Sequence, residues 1–226
     1  FERGEYSKHW QRVHQTKQSN NLIIRAVKRS IDILGSAIGL IVLSPVMLMV
    51  ALVIKFSSKG PVLFKQLRVG QSDDDFVALF NVLKFRSMVV DAEVKSGAVW
   101  ASKDDPRITP VGRFIRKTRL DELPQLWNVL IGDMSLIGPR PERPVFYSKL
   151  EKDIPYFCQR TYGIKPGISG LAQVMNGYDE TIDDARNKIG WDYAYMLSTS
   201  SARSWCYMEL TIFFKTLVVI FTGKGQ

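Results

Sequence analysis

The chain has 226 residues, 46% of them hydrophobic, with 31 lysines and arginines against 22 acidic residues and a formal charge of +9. That length suits one compact domain with an appendage, the composition excludes a disordered or wholly transmembrane chain, and the positive charge points to an anionic partner. Nucleic acid, acidic lipid and phosphorylated small molecules all fit that description. Cys158 and Cys206 form no CxxC pair and suggest neither a disulfide framework nor a zinc site. The only histidines, His9 and His14, lie in the N-terminal tail. Chemistry in the body of the protein is therefore left to carboxylates, lysines, arginines or hydroxyls. The chain opens on Phe1 without a signal-peptide pattern, and it reads as part of something longer.

In chain order, the polar, aperiodic stretch 1–27 reads as a linker. Residues Ile31 to Ile54 are almost wholly apolar and long enough at helical rise to cross a bilayer, but Ser44-Pro45 breaks them in the middle. Lys28 and Arg29 precede the segment and Lys55 and Lys59 follow it. A straight crossing would put one basic pair on the wrong face, whereas a re-entrant hairpin keeps both cytoplasmic. A kinked transmembrane helix and a re-entrant one both remain open at this point. Alternation then predicts strands at Val62–Val69 and Phe76–Phe85, joined by a turn at Gly70–Asp75. Near the end, Met208–Phe221 is too short and too charged to span, and suits either a helix lying in the membrane interface or a buried core helix.

The stretch Arg116 to Pro141, RKTRLDELPQLWNVLIGDMSLIGPRP, holds the densest chemistry. Leu123, Leu126, Trp127 and Leu130 predict an amphipathic helix capped at Gly132, with Pro124 tolerable only in its first turn. Asp121 and Glu122 then fall at the helix N-terminus, where phosphate binding is favoured. Neighbouring residues on a helix diverge, so these carboxylates suit separate roles, one as nucleophile and one as ligand for a hard cation such as Mg²⁺. The plainer reading is a helix cap and a dipole partner. Arg113, Arg116, Lys117 and Arg119 crowd the approach, and Arg140 is held between two prolines, a rigid setting for gripping phosphate. Lys84 and Arg86 share one strand face as either a diphosphate clamp or a solvated edge. Gly163 to Gly170, GIKPGISG, is either a nucleotide-wrapping loop or a tight structural turn.

In order, KRSIDILGSAIGLIVLSPVMLMVALVIKF, GPVLFKQLRVG, KFRSM, DPRITPVGRFIRKTRLDELPQLWNVLIGDMSLIGPRP and GIKPGISGLAQV resemble the monotopic phosphoglycosyl transferases, the bacterial sugar transferases that begin lipid-linked glycan assembly. The resemblance runs from about Lys28 to Val174 and returns in the closing helix. It implies an α+β fold: a small catalytic domain, with a β-hairpin and helices, on a re-entrant membrane helix at 28–59 bent at Ser44 and Pro45. The catalytic domain would occupy 60–226 at the cytoplasmic face of the bacterial inner membrane and end in an interfacial helix. It also implies a dyad matching Asp121 and Glu122. Its aspartate attacks the β-phosphate of a UDP-sugar, releases UMP and passes the phosphosugar to polyprenyl phosphate. Glu122, with Asp121, would hold Mg²⁺, and Arg140 and Arg116 match phosphate-side arginines. Lipid is then the expected surrounding and nucleic acid is not a partner. Neither the sugar nor the oligomeric state is legible. A glycosyltransferase, a phosphatase and a non-catalytic membrane scaffold are the competing readings of the same anion site.

Overall fold

The computed structural model describes residues 22–73, 76–93, 97, 99, 105–176 and 182–222. The expected linker at 1–21, with both histidines, and residues 177–181 lie outside the described residues. The architecture is α+β, with a long apolar helix at its start, a β-hairpin, a second small sheet and a set of shorter helices.

Helix α1, Leu22–Ser57, begins six residues before the expected membrane segment and runs through Pro45 without interruption. Proline removes the donor that would reach the carbonyl four residues back. That carbonyl belongs to Ile41, and the Ser44 hydroxyl donates to it at 2.8 Å, so the orphaned group is satisfied within the helix. At 36 residues the helix would extend ~54 Å if straight, well beyond a ~30 Å hydrocarbon layer.

Contacts with the rest of the protein nevertheless follow almost its whole length. Towards its start, Lys28 pairs with Glu209 at 2.7 Å, and Arg29 donates to the carbonyls of Val129 and Leu130, both at 2.7 Å. One turn on, buried Asp32 accepts from the Ser135 hydroxyl and the Leu136 amide, both at 2.9 Å. Gly39 leaves room for Leu126, which would stand 3.1 Å from a Cβ at that position. Beyond the proline, Val50 and Ile54 join Phe85 and Ile115 in an apolar core.

Strands β1 (Leu63–Ser72) and β2 (Val77–Phe85) form the expected antiparallel hairpin, in register from Leu63↔Phe85 to Val69↔Leu79. A register shift between Val69 and Ser72 lengthens β1 by three residues beyond the alternation, because Ser72 pairs with Val77 and the turn shrinks accordingly. Helix α2, Pro110–Lys117, follows, capped by the Thr109 hydroxyl on the Gly112 amide.

The helix expected to open with Asp121 and Glu122 instead begins at Gln125, as α3 (Gln125–Ile131), and the two carboxylates sit in a separate 3₁₀ turn, Leu120–Glu122. Pro124 occupies the N-cap, and Gly132 closes the helix as predicted, at a φ of 98°. The buried residues of α3 are Gln125, Asn128 and Val129, while Trp127 is 50% and Ile131 53% exposed. Trp127, from the predicted apolar stripe, thus points outward, while Leu126 packs at Gly39 of α1.

Strand β3 (Ser135–Ile137) pairs in parallel with β4 (Gly167–Ser169). The glycine-rich loop is therefore bonded to the segment that carries Arg140. A Cβ on Gly138 would lie 2.4 Å from the Lys165 carbonyl, so only glycine allows this approach. Helices α4 (Pro144–Asp153), α5 (Leu171–Asn176) and α6 (Ile182–Ser198) complete the domain. The closing helix α7, Ala202–Thr222, buries Trp205 and Ile212 on one side and exposes Leu210, Phe213, Phe214 and Val218 on the other. One side of this segment is therefore packed as core and the other is an uncovered apolar face.

Candidate active site

A cavity of about 530 Å³ opens between the hairpin, α2 and the loop after β3. That volume suits a small-molecule site. Asp121, Lys84, Arg86, Arg116, Arg119 and Arg140 all line it, so the structure gathers residues the sequence spread over 57 positions. Their placements differ. Glu122 is 7% exposed and its Oε1 accepts from Lys84 Nζ at 2.9 Å and from Arg140 Nη2 at 3.1 Å, while Arg119 stands 3.9 Å from Oε2. Burial opposes its charge, but Lys84, Arg140 and Arg119 together prevail and hold the carboxyl well below the usual range.

Asp121 is equally buried and makes no hydrogen bond or ion pair among the described residues. Burial first, and the neighbouring Glu122 charge second, push its carboxyl up to about 6 against the pull of Lys84, Arg116 and Arg119. Backbone geometry separates the pair. Arg119 adopts a left-handed φ of 59° immediately before the 3₁₀ turn, a conformation that costs a non-glycine residue about 1 kcal/mol or more. That sharp entry is what sends Asp121 into the cavity and Glu122 into the cation nest.

Arg86 is engaged otherwise. Its guanidinium donates to the carbonyls of Ser58 at 2.8 Å and Lys59 at 2.9 Å, gripping the chain where α1 ends. Arg140 is braced from behind: Arg160 donates to its carbonyl at 2.7 Å and pairs with Asp192 at 2.6 Å, both buried. Asn128, fully inside α3, extends the edge of β2 by donating to Asn81 O and accepting from the Leu83 amide, each at 2.9 Å. The sequence reading passed over these three supports. A lone asparagine among apolar helix residues was a signal for Asn128; Arg160 and Asp192, 32 residues apart, offered none.

The donor set for a divalent ion can be judged here. Among the described residues no cluster of three carboxylate, histidine or cysteine side chains exists. Mg²⁺, however, is commonly held by one or two carboxylates, with water and substrate phosphate supplying the remaining ligands. Asp121, which lines the cavity, meets that smaller requirement with one carboxylate, whereas Glu122 lies behind the lining with its oxygens facing Lys84, Arg119 and Arg140.

The family model for bacterial sugar transferases matches residues 23–223. The chain belongs to that family. This bacterial sugar transferase is 46% identical over 199 residues to the UDP-N-acetylgalactosamine-undecaprenyl-phosphate N-acetylgalactosaminephosphotransferase of Aeromonas hydrophila, an alignment covering 88% of this chain and 44% of that one. It is 39% identical to the UDP-glucose:undecaprenyl-phosphate glucose-1-phosphate transferase of Klebsiella pneumoniae, over 91% of this chain and 42% of the relative. With the exopolysaccharide production protein PSS of Rhizobium leguminosarum bv. phaseoli it shares 41% identity, over 88% of this chain and 98% of that protein. The sugar transferase chain thus spans less than half the length of the Aeromonas and Klebsiella proteins and nearly all of the Rhizobium one.

Proposed function

We propose that this chain transfers a sugar-1-phosphate from a UDP-sugar to a polyprenyl phosphate through an aspartyl phosphosugar intermediate, the membrane step that opens lipid-linked glycan assembly. The observation that carries the reading is Asp121, a buried carboxylate without a hydrogen-bond or ion-pair partner among the described residues, opening into a cavity lined by Lys84, Arg116, Arg119 and Arg140. The relatives' names, which pair UDP-sugars with undecaprenyl phosphate, support it. An Asp121 oxygen attacks the β-phosphorus, the bond from that phosphorus to the bridging oxygen breaks, and the electron pair leaves with UMP. An oxygen of the acceptor phosphate then attacks the same phosphorus, the aspartyl ester breaks, and Asp121 returns to a carboxylate.

The surrounding cations neutralise the equatorial oxygens during each displacement. Glu122 holds Lys84, Arg119 and Arg140 in place without itself facing the phosphorus. Asp121 would be the carboxylate that holds Mg²⁺ at the cavity, with Glu122 acting behind it through the cations, and the ion would supply further neutralisation of the diphosphate. Arg86 lines the cavity with its guanidinium committed to the end of α1, so it contributes shape more than charge.

The membrane arrangement follows from α1. One long apolar helix suggests membrane association, and contacts from Lys28 to Ile54 with one and the same domain support entry and exit at a single face. A straight crossing would carry one of those ends away from the domain. With basic residues at both ends, that face is the cytoplasmic side of the inner membrane.

The deciding experiment supplies purified protein with a panel of UDP-sugars and polyprenyl phosphate in Mg²⁺ and identifies the leaving group. UMP, with a phosphosugar adduct on Asp121 when acceptor is withheld, is the expected result. UDP would indicate a glycosyltransferase, inorganic phosphate a phosphatase, and no product a scaffold.

A further inference from the structure

The cavity lining is of two kinds. Beside Asp121 and its cations it turns apolar: Phe64 is the cross-strand partner of Lys84, and Leu63, Met88, Val89 and Val90 continue this wall. Leu63, Phe64, Val89 and Val90 are each between 43% and 51% exposed, a large apolar surface to leave uncovered beside four cations. The wall begins six residues after the last residue of α1, whose Phe56 is 85% exposed. Arg86 pins the two together, since it holds the Ser58 and Lys59 carbonyls and is followed directly by Ser87 and Met88. Apolar surface therefore continues from the membrane helix into the catalytic cavity.

Resting on the function proposed above, we infer that this wall seats the first isoprene units of the polyprenyl acceptor, and that the chain enters beside the C-terminal end of α1. An amphipathic acceptor must place its phosphate near Asp121 while its hydrocarbon remains out of water, and apolar residues adjoining the cations meet both demands. A nucleobase is the other flat, apolar candidate. It carries several polar edge groups, which this wall would leave unpaired.

The test compares Phe64→Ser and Val90→Ser with the wild type, using a long-chain polyprenyl phosphate and ethyl phosphate, which carries no isoprene unit, as acceptors. The aspartyl adduct formed from donor alone counts the folded, competent enzyme in each preparation. Preference for the long chain, as a ratio of kcat/KM values, should fall roughly tenfold in each variant, the scale expected on losing one buried apolar side chain. Leu79→Ser, which removes an apolar residue that is 55% exposed on the same hairpin but outside the cavity, should keep the ratio. An unchanged ratio in Phe64→Ser and Val90→Ser, or a rise in donor KM alone, would overturn the assignment and give the wall to the nucleotide. Photolabelling the wild type with a polyprenyl phosphate bearing a diazirine on its first isoprene adds a readout independent of variant folding. Label on 63–64 or 88–90 is expected, and label confined to α7 would equally overturn it. Failure of the underlying function would look different: no adduct would form at all.

Discussion

Asp121 and Glu122 are neighbours in sequence and equally buried, yet one carboxyl is raised and has no ion-pair partner among the described residues while the other is depressed and held by three cations. Burial alone therefore does not set their chemistry; what each side chain meets after the turn at Arg119 does. The open carboxylate is available to react. The enclosed one organises the charges around it, and removing either should fail in opposite ways.

The largest effect is expected for Asp121→Asn, which should cost at least about a thousandfold in turnover and eliminate the adduct. The same change should stabilise the fold. A raised carboxyl is a charge the folded state disfavours, so at pH 7 neutralising it gains up to about 3 kcal/mol. In metal-free buffer that advantage should shrink as pH falls below about 6 and vanish below the unfolded value of 3.8, where the wild-type group is protonated in both states. Thermal melts of the two proteins across that range would show it, and a less stable Asn variant at pH 7 would refute the comparison.

Glu122→Gln should do the reverse, costing about 3 kcal/mol because Lys84, Arg119 and Arg140 lose their counter-charge, with a smaller loss of turnover, about 10- to 100-fold. Adduct formation should persist at a reduced rate, as quench-flow with labelled donor would reveal.

Lys84→Met and Arg86→Met sharpen the contrast further along β2. Lys84 reaches Glu122 and the cavity, so its loss should raise donor KM together with a stability cost of about 1–3 kcal/mol. Arg86 grips Ser58 and Lys59, so its loss should lower the melting temperature and leave donor KM within about twofold. A large donor-KM effect in Arg86→Met would return it to the phosphate clamp.

Much of this was legible in the chain because local chemistry dictated it. Alternation placed the hairpin within a few residues, Gly132 marked the end of α3, and Ser44-Pro45 announced both a lost donor and its replacement. Gathering the cations around the dyad required the ordered motifs, since Lys84, Arg119 and Arg140 share no periodic element. The outward face of α3, Trp127 and Ile131, could not be told from a covered one, because periodicity shows that a face is apolar, not what covers it. Arg160, Asp192 and the β3–β4 pairing were hidden for another reason. They are long-range contacts, made between segments whose own patterns carry no trace of the partner.

The clasp between Lys28 and Glu209 spans 181 residues, and it bears on how the protein is made. At ~5–20 residues per second, roughly 10–35 s of synthesis separate the two side chains. Asp32 likewise waits for Ser135 and Leu136, which emerge 103 and 104 residues later. Arg29 and Asp32 can find their partners once residue 136 has been made, while Lys28 must wait for Glu209, so the domain locks onto α1 in two stages. A ribosome stalled between those points would leave α1 held at Arg29 and Asp32 with its Lys28 clasp open.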